Sequence, residues 1–161
     1  METLARLTVN LGRLDDGRTE TIREELDQAI LELDDLEYVH PLGPLHCELK
    51  GELLGDEFLV RGKLSLPCRC TCGRCGKDFE TVYSEKEYCE SFPVAGVEEL
   101  DLTESVREGI ILVLPSYPIC KEACLGVCLH CGQDLNAGPC ACSQQAGNSP
   151  WDALEGFTPE A

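Results

Sequence analysis

The sequence predicts an α+β protein: a mainly antiparallel, barrel-like β core carrying two or three helices, followed by a C-terminal zinc-knuckle module. Three observations predict it. Apolar residues alternate with polar ones along 45–53 and again along 58–66, on either side of Gly55-Asp56, the pattern of a hairpin. Leu102, Val106, Ile110 and Val113 recur at helical spacing. Of the twelve cysteines in 161 residues, six crowd into the stretch 118–142.

The elements follow in order. Ala5, Leu7, Val9 and Leu11 alternate on one side, which predicts a half-buried strand over 4–11, and Asp15-Asp16-Gly17 is a turn. From Thr19 or Thr21 a helix is expected, because Ile22, Leu26, Ile30 and Leu33 recur near 3.6 residues, with Glu24 and Glu25 in its first turn. It should end near Asp34-Asp35, and Pro41 and Pro44 punctuate the loop that follows. In the hairpin, Leu45, Cys47, Leu49, Gly51 and Leu53 share a face, as do Phe58, Val60, Gly62, Leu64 and Leu66. The second pattern continues through Cys68, Cys70 and Cys72, which casts Cys68 and Cys70 as small side chains on a buried face or as spare thiols near metal. Pro67 should break or bulge that strand.

Phe79, Thr81 and Tyr83 predict a return strand to about Cys89, then a loop over 92–99. Cys47 and Cys89, both isolated, are expected in the core. A helix should run from Leu102, capped by Asp101 or Thr103, to the prolines 115 and 118. After Cys142 a polar linker leads to a short helix with Pro150 at its first position and Trp151, Leu154 and Phe157 on one patch. The expected organisation is a core over 1–115 that includes the 72–75 turn, a zinc-binding module over 116–142, and a linker with terminal helix over 143–161.

Charge narrows the partners. The net charge is −17, yet it is unevenly spread. Fifteen acids face five bases in 1–57 and fifteen face three in 78–161, whereas 58–77 holds Arg61, Lys63, Arg69, Arg74 and Lys77 and no acid. Phosphate backbones would be repelled almost everywhere else, so a direct RNA contact would have to use this island. Its alternative role is to neutralise a tetrathiolate metal centre. No stretch of eighteen apolar residues is present, and the first residues carry no basic-then-apolar leader pattern, so a cytoplasmic location is expected. There cysteines stay reduced and favour metal over disulfides.

Cys72-Gly-Arg-Cys75-Gly76 and Cys128-Leu-His-Cys131-Gly132 share one signature. Two residues between thiolates let both sulfurs face one ion, and the following glycine permits a tight return. The simplest partition is two zinc ions, on Cys72, Cys75, Cys120 and Cys124 and on Cys128, Cys131, Cys140 and Cys142. A rival places one ion on Cys120, Cys124, Cys128 and Cys131. All-cysteine sites are coordinatively full and fold a chain instead of turning over substrate. His40, His46 and His130 form no catalytic constellation, and no phosphate-cradling glycine motif is present. No enzyme is expected; thiol redox through Cys72/Cys75 or Cys128/Cys131 is the one catalytic alternative.

Several of these residues resemble the YceD family of large ribosomal RNA subunit accumulation proteins. They are Gly62 followed by Cys72-Gly-Arg74-Cys75, then Asp101-Leu102, Leu112-Val-Leu114-Pro115, and the run Pro118-Ile-Cys120-Lys-Glu-Ala-Cys124-Leu-Gly126-Val-Cys128-Leu-His-Cys131-Gly132-Gln-Asp-Leu-Asn136. Cys140-Ala-Cys142 and Ser149-Pro-Trp-Asp-Ala-Leu154 are similar to the family's closing residues, although Cys68 and Cys70 are extra and Trp151 replaces a residue that is often basic. The resemblance implies a role in large-subunit rRNA processing and ribosome assembly. With the acidic charge, the expected partner is a basic ribosomal protein or rRNA-maturation factor. RNA binding through 61–77, and contact through Trp151, are the alternatives.

Overall fold

One long strand organises the molecule. The computed structural model describes residues 5–142, apart from 15–16 and 34–35. Its strands are β1 (Thr8–Asn10), β2 (Thr19–Leu26), β3 (Val39–Pro41), β4 (Leu45–Leu54), β5 (Glu57–Thr71), β6 (Asp78–Pro93) and β7 (Glu99–Asp101), with a single α-helix among the described residues, α1 (Thr103–Ile111). On one edge β5 pairs antiparallel with β4 and then β3; on the other it pairs with β6 over its whole length. β2 extends the sheet beyond β4, while β1 and β7 form a separate two-stranded ladder.

Alternation decides which face is buried. Phe58, Val60, Leu64, Leu66, Cys68 and Cys70 of β5 all have no exposed surface. They meet Leu26, Leu45, Leu49, Leu102, Val106 and Ile110 in one core, and each large apolar side chain so buried contributes about 2 kcal/mol. The odd-numbered residues Arg61, Lys63 and Arg69 stand on the opposite, solvent-facing side. Gly51 is required by packing, since a Cβ there would lie 2.2 Å from the Phe58 ring. At Gly62 a Cβ would fall 2.2 Å from the Glu48 carbonyl oxygen.

Several expectations are corrected. The sheet is open and not a closed barrel: among the described residues the outer strands β2 and β6 do not pair with each other. Among the described residues there is one α-helix, with two 3-10 turns at Leu11–Arg13 and Gln28–Leu31. The helix predicted from Thr19 is strand β2, in register Ile22↔Leu49 and Leu26↔Leu45. A spacing of four residues satisfies a helix and a strand alike, and pairing with β4 decides between them. The first strand is shorter than expected and passes into the 3-10 turn at Leu11.

Pro67 neither breaks nor bulges β5. It falls between the last β4 pair, at Ser65, and the first β3 pair, at Cys68. Its carbonyl accepts from the Leu42 N–H at 2.8 Å, so its nitrogen faces the same gap between β4 and β3, where no ladder donor is needed. The register shift lies elsewhere: Gly62 pairs Tyr88 but Leu64 pairs Glu85, so β6 carries one extra residue. That bulge switches the inward parity of β6 from odd (Phe79, Tyr83) to even (Tyr88), and for this reason Cys89 is exposed instead of in the core. Beyond the bulge β6 continues to Pro93, into the region expected to be loop.

At the start of α1 the Asp101 carboxylate accepts from the Thr103 N–H at 2.9 Å, and the Thr103 hydroxyl accepts from the Leu7 N–H at 2.9 Å. The helix stops at Ile111, earlier than expected, because the chain tightens into i→i+3 bonds from Val113 and Leu114 ahead of Pro115. Among the described residues no helix is long and apolar enough to cross a membrane. The expected terminal helix, with Trp151, lies outside the described residues.

Candidate metal centre

The β5–β6 connection is itself the first Cys-x-x-Cys turn. The Cys72 N–H donates to the Lys77 carbonyl (2.9 Å) and the Gly76 N–H to the Cys72 carbonyl (2.8 Å), with Gly76 at φ +68°. The same circuit recurs downstream. Cys128 N–H reaches the Gln133 carbonyl (2.8 Å), Gly132 N–H reaches the Cys128 carbonyl (2.8 Å), and Gly132 has φ +73°. A left-handed residue after the second cysteine turns the chain back so that backbone N–H groups aim at the first sulfur. Identical spacing gives identical local geometry.

Each turn meets a second pair of sulfurs. Cys72, Cys75, Cys120 and Cys124 form one group, and Cys128, Cys131, Cys140 and Cys142 another; within each, all Sγ atoms lie within 4.8 Å of one another. The Cys72–Cys124 and Cys75–Cys120 sulfurs are both 3.9 Å apart, and Cys140 to Cys128 is 3.4 Å. Four thiolates held tetrahedrally at about 2.3 Å from a cation stand about 3.8 Å apart, so both donor sets fit a tetrahedral ion. All twelve cysteines are free, and these separations are far outside the ~2 Å of a disulfide. The rival grouping of Cys120, Cys124, Cys128 and Cys131 is not the one the fold assembles.

The backbone prepares the thiolates. Burial works against the charge of Cys72, but the N–H groups of Cys120, Cys75 and Arg74 outweigh it and bring the thiol down to about 6. The Cys120 N–H stands 3.4 Å from that sulfur. The N–H groups of Cys131 and His130 lower Cys128 to about 6 as well. Gly126 N–H lowers Cys124, whereas burial and the neighbouring sulfurs push Cys120 up to about 12 and the Cys131 sulfur does the same to Cys142. Four thiols so close cannot all shed protons without a cation among them, which is the electrostatic demand a divalent metal meets.

Two contacts join the groups. Asn136 donates from Nδ2 to the Cys124 sulfur at 3.5 Å and accepts from the Leu125 N–H at 3.0 Å, while Lys77 pairs with Asp134 at 2.5 Å. That ion pair holds the Asp134 carboxyl down at about 2, chiefly through Lys77. Sequence reading placed Asn136 only in a turn at the end of the family-like run, and the structure adds its bond to the Cys124 sulfur.

The basic island is engaged internally. Arg61 pairs with Glu52 (3.7 Å) and Arg69 with Glu80 (3.5 Å) across the solvent face of the sheet, and Lys63 stands opposite Glu48 in register. Arg74 donates to the carbonyls of Glu122 (3.1 Å) and Cys124 (3.0 Å), tying the first turn to the chain that returns after α1. Cys47, Cys68 and Cys70 are core residues, with burial pushing Cys47 and Cys68 up to about 12. His130 is exposed, and Leu129 beside it is 97% exposed.

Residues 83–158 match the sequence model of the family described as large ribosomal RNA subunit accumulation protein YceD. An Arabidopsis thaliana protein named large ribosomal RNA subunit accumulation protein YCED homolog 1, chloroplastic, is 37% identical over 58 residues, 36% of this chain and 18% of that protein. An uncharacterized Mycobacterium leprae protein is 28% identical over 111 residues, 60% of this chain and 51% of its own length. A Mycobacterium tuberculosis protein, also uncharacterized, is 26% identical over 110 residues, 59% and 53% respectively. The matches thus span about half of the mycobacterial relatives. No solved structure gives a significant match.

Proposed function

We propose, from the match of residues 83–158 to the YceD family model and the similarity to the Arabidopsis homolog, that the chain is a non-enzymatic, zinc-stabilised factor supporting large-subunit rRNA accumulation, acting in the cytoplasm on ribosome assembly by binding a basic protein partner. The observation that carries this reading is the pair of complete four-sulfur sets. Zinc suits an all-thiolate tetrahedral site, and four protein ligands leave no open position for water or substrate, so the ions serve folding. Cys72, Cys75, Cys120 and Cys124 would hold one and Cys128, Cys131, Cys140 and Cys142 the other; bound there, zinc supplies charge neutralisation and a cross-link. With a net charge of −17, a cationic protein is the partner that long-range attraction selects.

Direct rRNA contact through 61–77 is the weaker reading, because Arg61, Arg69 and Lys77 already have acidic partners and Arg74 is committed to carbonyls. Capture of the tagged chain from cell extract, with and without nuclease, tests the choice. Large-subunit precursor particles should be retained and a basic ribosomal protein should survive nuclease treatment. Loss of every partner on nuclease treatment would favour the RNA reading, and absence of precursor particles from the start would sink both.

A further inference from the structure

The geometry points to a specific docking place: the free edge of β6, with the cleft beside α1, receives an extended lysine- or arginine-rich segment of a protein by strand addition. This inference rests on the proposed basic protein partner and names where it binds. β6 is sixteen residues long, about 50 Å of strand, and is paired only with β5; among the described residues nothing is laddered onto its other edge. Such an edge presents a row of unpaired N–H and C=O groups, the template used in β-augmentation.

Charge selects the occupant. Residues 78–93 hold five acids and a single base, so a second copy of this strand laid antiparallel would set carboxylates against carboxylates. A cleft of about 420 Å³ runs along the edge where β6 bulges towards α1, lined by Glu85, Glu87, Glu90 and Glu108 and by no basic side chain. None of these four has an ion-pair partner among the described residues, in contrast to the paired acids Glu52 and Glu80 on the solvent face. The Glu85 carboxylate accepts the Glu87 N–H at 2.8 Å and so fixes the bulge, while Tyr88 donates to Glu90 at 3.0 Å. At the end of the cleft Leu112 is 84% exposed, a seat for an apolar residue between cationic ones. Unpaired backbone gives affinity, and the carboxylates give sign.

The test uses the full chain with its metal and a blocked twelve-residue peptide alternating lysine and valine. Two further versions are N-methylated at every second residue, one in each register; both keep charge and side chains, and each removes the donors from one edge of the peptide. Strand addition predicts that the unmodified peptide binds in a fluorescence anisotropy titration and slows hydrogen exchange over 79–92. One methylated register should lose at least tenfold in affinity while the other is unaffected. Glu85→Lys with Glu87→Lys should also weaken the unmodified peptide at least tenfold. Equal binding of both methylated registers, protection elsewhere, or outer β6 amides already protected in the free chain by a second copy or by residues 143–161 would overturn the assignment. The two proposals separate cleanly. If the Glu85→Lys, Glu87→Lys chain still captures precursor particles, the edge is wrong and the function stands. If the unaltered chain captures none yet binds the peptide in one register, the edge stands and the function fails.

Discussion

The two cysteine tetrads share one turn and differ in what they tie together. Both first cysteines are held near 6 by aimed backbone N–H groups, and both glycines adopt the left-handed conformation. Cys72 and Cys75, however, find their partners at Cys120 and Cys124, 45 residues or more along the chain, after β6, β7 and α1 have intervened. Cys128 and Cys131 find theirs within fourteen residues. The first set is largely buried and is braced by the Gly73 N–H to the Pro118 carbonyl (2.8 Å) and by Arg74. Cys131 of the second set is exposed. With an ion in each set, one motif would serve as a long-range clamp and as a local nucleus, and loop length would set the difference, because closing a long loop removes more entropy from the unfolded chain than closing a short one.

This contrast can be broken or sharpened in order of effect. The largest follows from acid. Cys72 and Cys128 have folded values of about 6 against an ordinary 9.0. Each thus favours the folded chain fully above pH 9 and loses that contribution as pH falls through 6. A zinc indicator should record both ions leaving over the same window near and below pH 6. Well-separated windows would mean that the shared turn does not set the chemistry. Next, Cys72→Ser should remove one ion and destabilise the whole chain by about 4 kcal/mol or more, read from denaturant unfolding monitored on the sheet.

Gly62→Ala comes third. A Cβ 2.2 Å from the Glu48 carbonyl forces the β4–β5 pair apart, at about 1–3 kcal/mol, with both ions retained. Metal loss in that variant would show the clamp and sheet to be one cooperative unit. The smallest effect on the body belongs to Cys131→Ser. It should cost the second ion and the exchange protection of the Cys128 and Leu135 N–H groups, while sheet stability changes by less than about 1 kcal/mol.

The sequence made some levels of this structure legible and hid others. The hairpin was readable because its two-residue alternation fits a strand alone. The helix starting near Leu102 repeats the ambiguous spacing of Ile22, Leu26, Ile30 and Leu33, and was readable because Asp101 accepts from the Thr103 N–H at its start. The eight cysteines of the two sets stood out because their spacing is constrained by the ion they fit. β2 was hidden because Ile22 and Leu26 are compatible with two periods. Cys89 was misplaced because a bulge three residues upstream reverses parity, and only the pairing with β5 reveals it. Pro67 was misjudged for a related reason, since the gap between two neighbouring strands exists only in three dimensions. The roles of Asn136 and of the Lys77–Asp134 pair, which couple the tetrads, needed the contacts themselves.

The central claim is that two sulfur sets each hold an ion and that only the first secures the body. Native mass spectrometry of the full chain and of Cys72→Ser, with hydrogen exchange on the same samples, tests it most directly. The account predicts two zinc ions on the full chain and one on the variant, whose β5 and β6 amides exchange faster. A metal-free full chain with β5 and β6 protected would contradict it.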